Sequence, residues 1–405
     1  MELESDHAAA RPQLCEETEA TLQPWDGAVY SIAEVARRWL HLLGANEQAI
    51  VCDRLHTLEE CVLPACLQRP VARTSPPEVV AGKKVGALRG GARSALLPEW
   101  GVKLKGCRPL PPPADFPTEE LPFGAEELQY GRIPFGTLSQ AGIMREVLGH
   151  CFCTAVGLRT SSIPVAVYEY RAEGRAAGYC LVMKTEAEDR IESFIRYPGL
   201  RIGDLVTADF LRAKLNLNGT LSQEVPLKGV NVGWWAEAKS AALVQMHFAG
   251  GFRGYLNSNL GNDVIEPSSP PRFALCDFDT FHVVPLPEDP SAEFLRAFAL
   301  HCLADTLKGS LPIVDYVIPS APREDEVQAE LAKVYFERSS LWRAYKRRFD
   351  QQVARRGWDE QRVEEALAAA CRTPAFATMI SDCVLNAPTI RGSKRVQDSM
   401  YCSHN

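Results

Sequence analysis

Apolar positions along the chain follow two different periods, and the change from one to the other divides it. Ser31-Ile32-Ala33-Glu34 forms a capping-box pattern, with Ser31 as N-cap and Glu34 at the third helical position, and the VARRWLHLL that follows is amphipathic. A second helical stretch, ANEQAIVCDRLHTLEECVLPACL, carries this extension to about residue 68. Ahead of it, residues 1–25 hold six acidic side chains against one arginine and show little apolar periodicity, which predicts a disordered acidic tail.

From residue 70 the pattern changes to short runs broken by Gly and Pro. Strands are predicted over Val79 to Val85, Gly101 to Leu104, Pro164 to Tyr170 and Gly178 to Lys184, the last two forming a hairpin around RAEGRAA. One good helix interrupts them, from Ser139 to Val156, with Ile143, Val147, Leu148 and Cys151 on one face. Between strand and helix, RPLPPPADFPTEELPFG is too polar and proline-dense to pack as an element.

Helical spacing dominates after residue 200, over Val232 to Phe248, over Ser291 to Leu307 with a stop at Gly309, and over a long stretch from Asp325 to Arg356. The resulting expectation is an α+β chain with a protein-kinase-like two-lobed fold. Its parts are an acidic tail (1–25), a helical N-terminal extension (26–69), a strand-rich N-lobe with one main helix (70–200), a larger helical C-lobe (201–387) and a loose tail (388–405). The basic run on the last long helix (Arg343, Lys346, Arg347, Arg348, Arg355, Arg356) reads as a solvated face that complements the helix dipole, or as a docking face for an acidic partner.

Composition narrows the function classes. The 405 residues are 46% hydrophobic, enough for one large or two moderate cores, and the formal net charge of −7 argues against sequence-independent nucleic-acid binding. No apolar run reaches the roughly 18 residues of a membrane span, and the acidic N-terminus lacks the order of a signal peptide, so a cytoplasmic location is expected. Thirteen cysteines without a CxxC pair form no zinc framework; Cys151 and Cys153 are too closely spaced, and most cysteines read as small buried hydrophobes.

Candidate chemistry begins with Lys103 and Lys105, two residues apart and therefore on one face of a strand, where a lysine reaches nucleotide phosphates if a following helix supplies a carboxylate. Glu146 is that carboxylate, the alternative being exposed strand lysines and a surface glutamate. The segment from Gly82 through Gly86 to Gly91 cradles phosphates through backbone N–H groups, or forms an ordinary hairpin turn. Asp277 ends an apolar run, Phe273-Ala-Leu-Cys, and is followed by Phe278 and Asp279. Upstream lie Asn257, Asn259, Asn262 and Asp263 in a Gly-containing loop. Amide and carboxylate oxygens in this order suit Mg²⁺ or Mn²⁺ bound with ATP; taken singly, such asparagines are turn formers.

These residues together resemble the selenoprotein O family, kinase-like proteins that act as protein adenylyltransferases. Lys103-Leu-Lys105-Gly106 is similar to that family's strand-lysine block. Arg145-Glu146-Val-Leu is similar to its helix block, which makes Glu146 the lysine's partner. The stretch from Met183 to Gly199 resembles its basic phosphate clamp, with Arg196 the better match and Lys184 and Arg190 the further candidates. Gly254 to Asn259 resembles its catalytic loop, and Asp277-Phe-Asp279 its metal motif. The resemblance implies ATP held in inverted orientation, a Mg²⁺ bound at Asn259 or Asn262 with Asp277 and Asp279, and transfer of AMP to Ser, Thr or Tyr hydroxyls of a protein substrate. Two departures are plain. Arg253 stands where the family has histidine and Asn259 where it has the aspartate proposed as base, so the base of the loop is unassigned, with Asp263, adjacent to Asn262, a candidate catalytic carboxylate, and conventional phosphoryl transfer or an inactive binding module as alternatives.

Overall fold

The computed structural model describes residues 17–24, 26–59, 63, 67–74, 83–89, 94–97, 100–107, 137–172, 174–185, 189–190, 232–254, 257–258, 262–266, 272–310, 336–337 and 340–385. Among these, an antiparallel sheet is built from β1 (Glu17–Pro24), β2 (Val29–Ser31), β3 (Val71–Thr74), β4 (Lys83–Arg89), β5 (Ser94–Leu97), β6 (Val102–Lys105), β7 (Ser162–Ala172) and β8 (Arg175–Thr185). The strand order is β2-β7-β8-β6-β5-β4-β1-β3. Helices α1 (Ile32–Trp39), α2 (Ala45–Glu59) and α3 (Gln140–Ala155) occur in the same half of the chain. The second half supplies α4 (Val232–His247), α5 (Ala292–Ser310), α6 (Ser340–Arg356), α7 (Glu360–Ala370) and α8 (Pro374–Leu385). The chain is thus a mixed α/β protein, with its strands concentrated before its longer helices.

Alternation on the sheet explains how it buries both faces. On β7 and β8, Val167, Leu181 and Met183 join the large core that also holds the helices. Their neighbours Ala166, Tyr168, Tyr170, Cys180 and Val182 point the other way, into a second core with Leu67, Val71, Ala95, Leu97, Val102 and Leu104. The two tyrosines of that second core keep their hydroxyls satisfied by donating to the carbonyls of Leu67 (2.5 Å) and Val71 (2.7 Å).

Several expected elements form and several shift. The capping box is present: Ser31 Oγ accepts from Glu34 N at 3.3 Å and the Glu34 carboxylate accepts from Ser31 N at 2.8 Å. The main helix starts after Ser139, whose Oγ accepts from Gly142 N at 3.0 Å, and the expected hairpin forms with strands running further toward its turn. Residues 17–24, assigned to the acidic tail, instead form β1 between β3 and β4, where backbone pairing on both sides outweighs their acidic composition. The strand expected at Val79 to Val85 lies at Lys83–Arg89, and the second helix of the extension ends at Glu59 rather than near residue 68. The first part of the expected Asp325 helix lies outside the described residues. Helices α7 and α8 were not separated from the C-terminal region by sequence pattern.

Part of the basic run of α6 pairs within the chain, while Arg343 and Arg355 are exposed. Arg347 and Arg348 pair with Glu237 (2.5 and 2.8 Å), Lys346 pairs with Asp350 and Glu364, and Arg356 donates to the Phe248 carbonyl at 2.6 Å. Three of these side chains, Lys346, Arg347 and Arg348, thus meet carboxylates of the chain itself. Burial pushes the Cys151 and Cys153 thiols up to about 12, as expected of packed hydrophobes rather than reactive thiolates. Among the described residues no helix is long and apolar enough to cross a membrane.

Two histidines make this packing sensitive to acid. Burial pushes His150 on α3 and His301 on α5 down from 6.5 to about 4. The unfolded chain therefore binds more protons than the folded one between those values, and stability is lost as pH falls through that window. Denaturant unfolding should show a loss of about 1.4 kcal/mol per pH unit per histidine there. Replacing His301 by Leu should flatten the slope; an unchanged slope would show the ring to be solvated.

Candidate active site

The site begins with the four residues of β6. Val102 and Leu104 face the second core, so strand alternation turns Lys103 and Lys105 toward α3, where both are buried. Lys105 Nζ donates to Glu146 of α3 and to Asp277, and lies 3.5 Å from Asp279 Oδ2. Three segments far apart in sequence thus meet at one ammonium. Removing these charges from water carries a penalty of several kcal/mol per ion, which close pairing offsets.

Glu146 is held by more than the lysine. Its Oε1 also accepts from Phe278 N at 3.0 Å, so the helix is tied to the backbone just after Asp277. The approach is possible because residue 149, one turn along α3, is glycine: a Cβ there would stand 2.4 Å from the Phe278 side chain. Burial raises the Glu146 carboxyl above its ordinary value of 4.5, Lys105 opposes the rise, and Asp277 and Asp279 add to it. Its second oxygen, Oε2, is buried and has no hydrogen-bond partner among the described residues.

The two aspartates follow β12 (Arg272–Leu275), the outer strand of a small sheet with β11 (Asp263–Glu266) and β9 (Asp189–Arg190), ordered β12-β11-β9. Immediately after β12 the chain turns sharply: Asp277 has φ 68°, the one non-glycine residue in the left-handed region among those described. Such a conformation costs about 1–3 kcal/mol and persists where surrounding contacts impose it. Asp279 is positioned from the other side by Asn257, whose Nδ2 donates to Asp279 Oδ1 at 2.7 Å and to Thr280 Oγ1 at 2.9 Å.

Buried polar groups build the loop that carries Asn257. Arg253, which follows β10 (Gly251–Phe252), is fully buried, and its Nη2 donates to the carbonyls of Asn257 (2.6 Å), Asn262 (3.1 Å) and Cys276 (2.7 Å). Asp305 on α5 accepts from Arg253 N (3.0 Å), Ser258 Oγ (2.9 Å) and His247 Nε2 (3.0 Å). Burial alone would raise the Asp305 carboxyl, but the His247 and Arg253 interactions outweigh it and hold it below its ordinary value. The loop is therefore fastened at both the strand before it and the helix behind it.

Of the residues expected from sequence, Lys105, Glu146, Asp277 and Asp279 come together. Lys103 shares their face of β6. Asn262 is buried and donates from its amide to the Asn257 carbonyl at 3.1 Å, while Asn259 lies outside the described residues. Asp263, expected as a catalytic carboxylate, has a different setting. It is fully buried, and its Oδ2 accepts from Lys239 Nζ (2.6 Å) and Trp235 Nε1 (3.1 Å), which leaves it no open face toward a substrate hydroxyl.

The remaining nucleotide-binding expectations divide. Gly86 sits within β4, opposite Glu19 of β1, so its backbone belongs to a ladder and not to a phosphate-cradling turn; Gly82 is outside the described residues. Lys184 is exposed near the end of β8. The backbone of Arg190 pairs with Val264 on β11, one strand away from the strand that leads to Asp277. Arg196 lies outside the described residues. Sequence reasoning missed Lys239, Asp305 and Glu47. A weak signal existed for the first two: each is a charged residue at the helical spacing of a core face, as in Trp235–Lys239 and Phe298–Cys302–Asp305.

The donor set fits a hard dication. Glu146, Asp277 and Asp279 each offer a carboxylate oxygen, and these lie within 4.8 Å of one another.

No family model matches the chain, and no curated protein does. The resemblance to the selenoprotein O family therefore rests on the residues quoted for it. Among solved structures, "WaaP in complex with acyl carrier protein" is 14% identical, covering 89% of this chain and 98% of that chain at a TM-score of 0.32. "The structure of aerobactin synthetase IucC from a hypervirulent pathotype of Klebsiella pneumoniae" is 11% identical, covering 93% of this chain and 64% of that chain at a TM-score of 0.30. At such scores neither likeness supports a fold or an activity.

The Lys239–Asp263 pair yields a direct test of the loop's construction. Asp263→Ala leaves a buried ammonium without its carboxylate, and burial already pulls the Lys239 amine below its ordinary value. Equilibrium unfolding should show a loss of about 3–5 kcal/mol. A loss under about 1 kcal/mol, the size of a solvated surface pair, would contradict the assignment.

Proposed function

We propose that the chain is a transferase with a protein-kinase-like two-lobed fold that uses ATP with Mg²⁺ or Mn²⁺, and that it transfers AMP to hydroxyl side chains of a protein substrate. One observation carries the nucleotide part: a buried strand lysine, Lys105, held jointly by a helix glutamate, Glu146, and by the aspartate Asp277 beyond an apolar strand. That arrangement serves phosphoryl and nucleotidyl transfer because such chemistry is mostly positioning and charge neutralisation. Lys105 would leave its contact with Asp277 to meet phosphate oxygens while Glu146 keeps it oriented. Asp277 and Asp279 would hold the cation, with Asn262 as the amide candidate nearby in the loop and Asn259 the alternative. The bound cation supplies charge neutralisation at the phosphates.

The choice of AMP over phosphate comes from the resemblance of the Met183 to Gly199 stretch to a basic phosphate clamp, with Arg196, Arg190 and Lys184 as its members. The backbone of Arg190 pairs with Val264, in the same small sheet as the strand preceding Asp277. A second reading, a nucleotide-binding module without turnover, is favoured by the burial of Asp263 against Lys239, which removes the loop carboxylate expected to take a substrate proton.

Incubation with ATP labelled on the α or the γ phosphate, in Mg²⁺ or Mn²⁺, separates these outcomes. Incorporation of α label into protein is expected, with Asp277→Ala abolishing it and Lys105→Ala lowering it by about two to three orders of magnitude. Transfer of γ label alone would replace the AMP reading with phosphoryl transfer. Full activity in Asp277→Ala would place the site elsewhere.

A further inference from the structure

We propose that Glu47, in the helical extension, is a positioning residue that holds the two carriers of the carboxylate cluster against each other and so keeps Lys105 in its pair. Glu47 lies in the first turn of α2 and is 6% exposed. Its Oε2 accepts from Gly44 N at 2.9 Å, a local bond that satisfies the start of its own helix. Its Oε1 is spent on two distant partners: Arg145 Nη1 at 2.6 Å and Val283 N at 3.0 Å, the latter in β13 (His282–Val283). Arg145 Nη1 also donates to the Phe281 carbonyl at 3.2 Å.

These partners are neighbours of the site. Arg145 directly precedes Glu146 on α3, and Phe281 and Val283 follow the segment that bears Asp277 and Asp279. A helix-capping role needs only Oε2; the second oxygen joins α3 to the segment 281–283 through one charged node. Without it, the Arg145 guanidinium loses a charged acceptor and the Val283 N–H is left without this one, so α3 and the aspartate segment gain freedom to separate. The extension thereby sets the Lys105–Glu146–Asp277 geometry although it contributes no group to the cluster. The kinetic consequence of this rests on the transferase reading above; the geometric consequence does not.

The test uses the full chain with Glu47→Ala and the milder Glu47→Gln, each checked for folding by circular dichroism and melting. An N-hydroxysuccinimide acetate ester labels lysines, and tandem mass spectrometry reads the rate at Lys105. In Glu47→Ala the rate should rise about tenfold, the opening expected from a loss of about 1.4 kcal/mol, with a smaller rise in Glu47→Gln. In the labelled-ATP assay kcat should fall about tenfold while KM for ATP stays within about twofold. Unchanged Lys105 labelling in folded variants, whether or not their melting temperature drops, would overturn the proposal and leave Glu47 a helix cap. A wild-type chain without ATP-dependent transfer would sink the transferase reading, and Lys105 labelling would still decide the role of Glu47.

Discussion

A lysine ammonium buried beside a sheet needs carboxylates around it, and that need brings the halves of this chain together. Lys105 comes from a strand, Glu146 from the helix that follows the proline-rich stretch, and Asp277 from a turn more than a hundred residues later. No one of these segments can satisfy its charge alone. The sheet supplies the direction, since Val102 and Leu104 anchor the opposite face of β6. The helix supplies the distance, since Gly149 lets α3 lie directly on Phe278. The left-handed backbone at Asp277 is the local expense of this arrangement, and the contacts around it are strong enough to impose it.

Behind the cluster lies a layer of buried polar groups whose work is to hold backbone. Arg253 gathers three carbonyls, Asp305 gathers a backbone N–H, a hydroxyl and an imidazole, and Lys239 meets Asp263. Each is costly to bury unpaired, so each resists any rearrangement of the loop. Asn257 transmits that rigidity to Asp279 through its side-chain amide. The substitution of an arginine for a histidine in the resemblance thus has a physical counterpart: position 253 here binds carbonyls inside the loop and faces no solvent.

The parts of the fold legible in sequence were those set by local rules. Ser31 with Glu34, Ser139 before its helix and the period-two alternation around residues 164–184 each announced an element that forms. Lys105, Glu146, Asp277 and Asp279 were legible because each sits at the end or on the face of such an element. What escaped was decided by distant partners. Strand β1 forms in an acidic stretch because β3 and β4 offer ladder edges, and Gly86 is drawn into a ladder by the same pairing. Asp263 looked catalytic by position, and only the proximity of Lys239 and Trp235 shows how its charge is used. The bridging role of Glu47 carried no signal, since the two partners of its Oε1 lie about a hundred and more than two hundred residues away.

The central claim is that the Lys105 cluster receives a nucleotide with its cation. Calorimetric titration of ATP into the chain, with and without Mg²⁺, tests it most directly. Binding that requires Mg²⁺ and weakens at least tenfold in a folded Lys105→Met variant is the predicted result. Absence of binding to the wild-type chain, or an unchanged Kd in Lys105→Met, would contradict it.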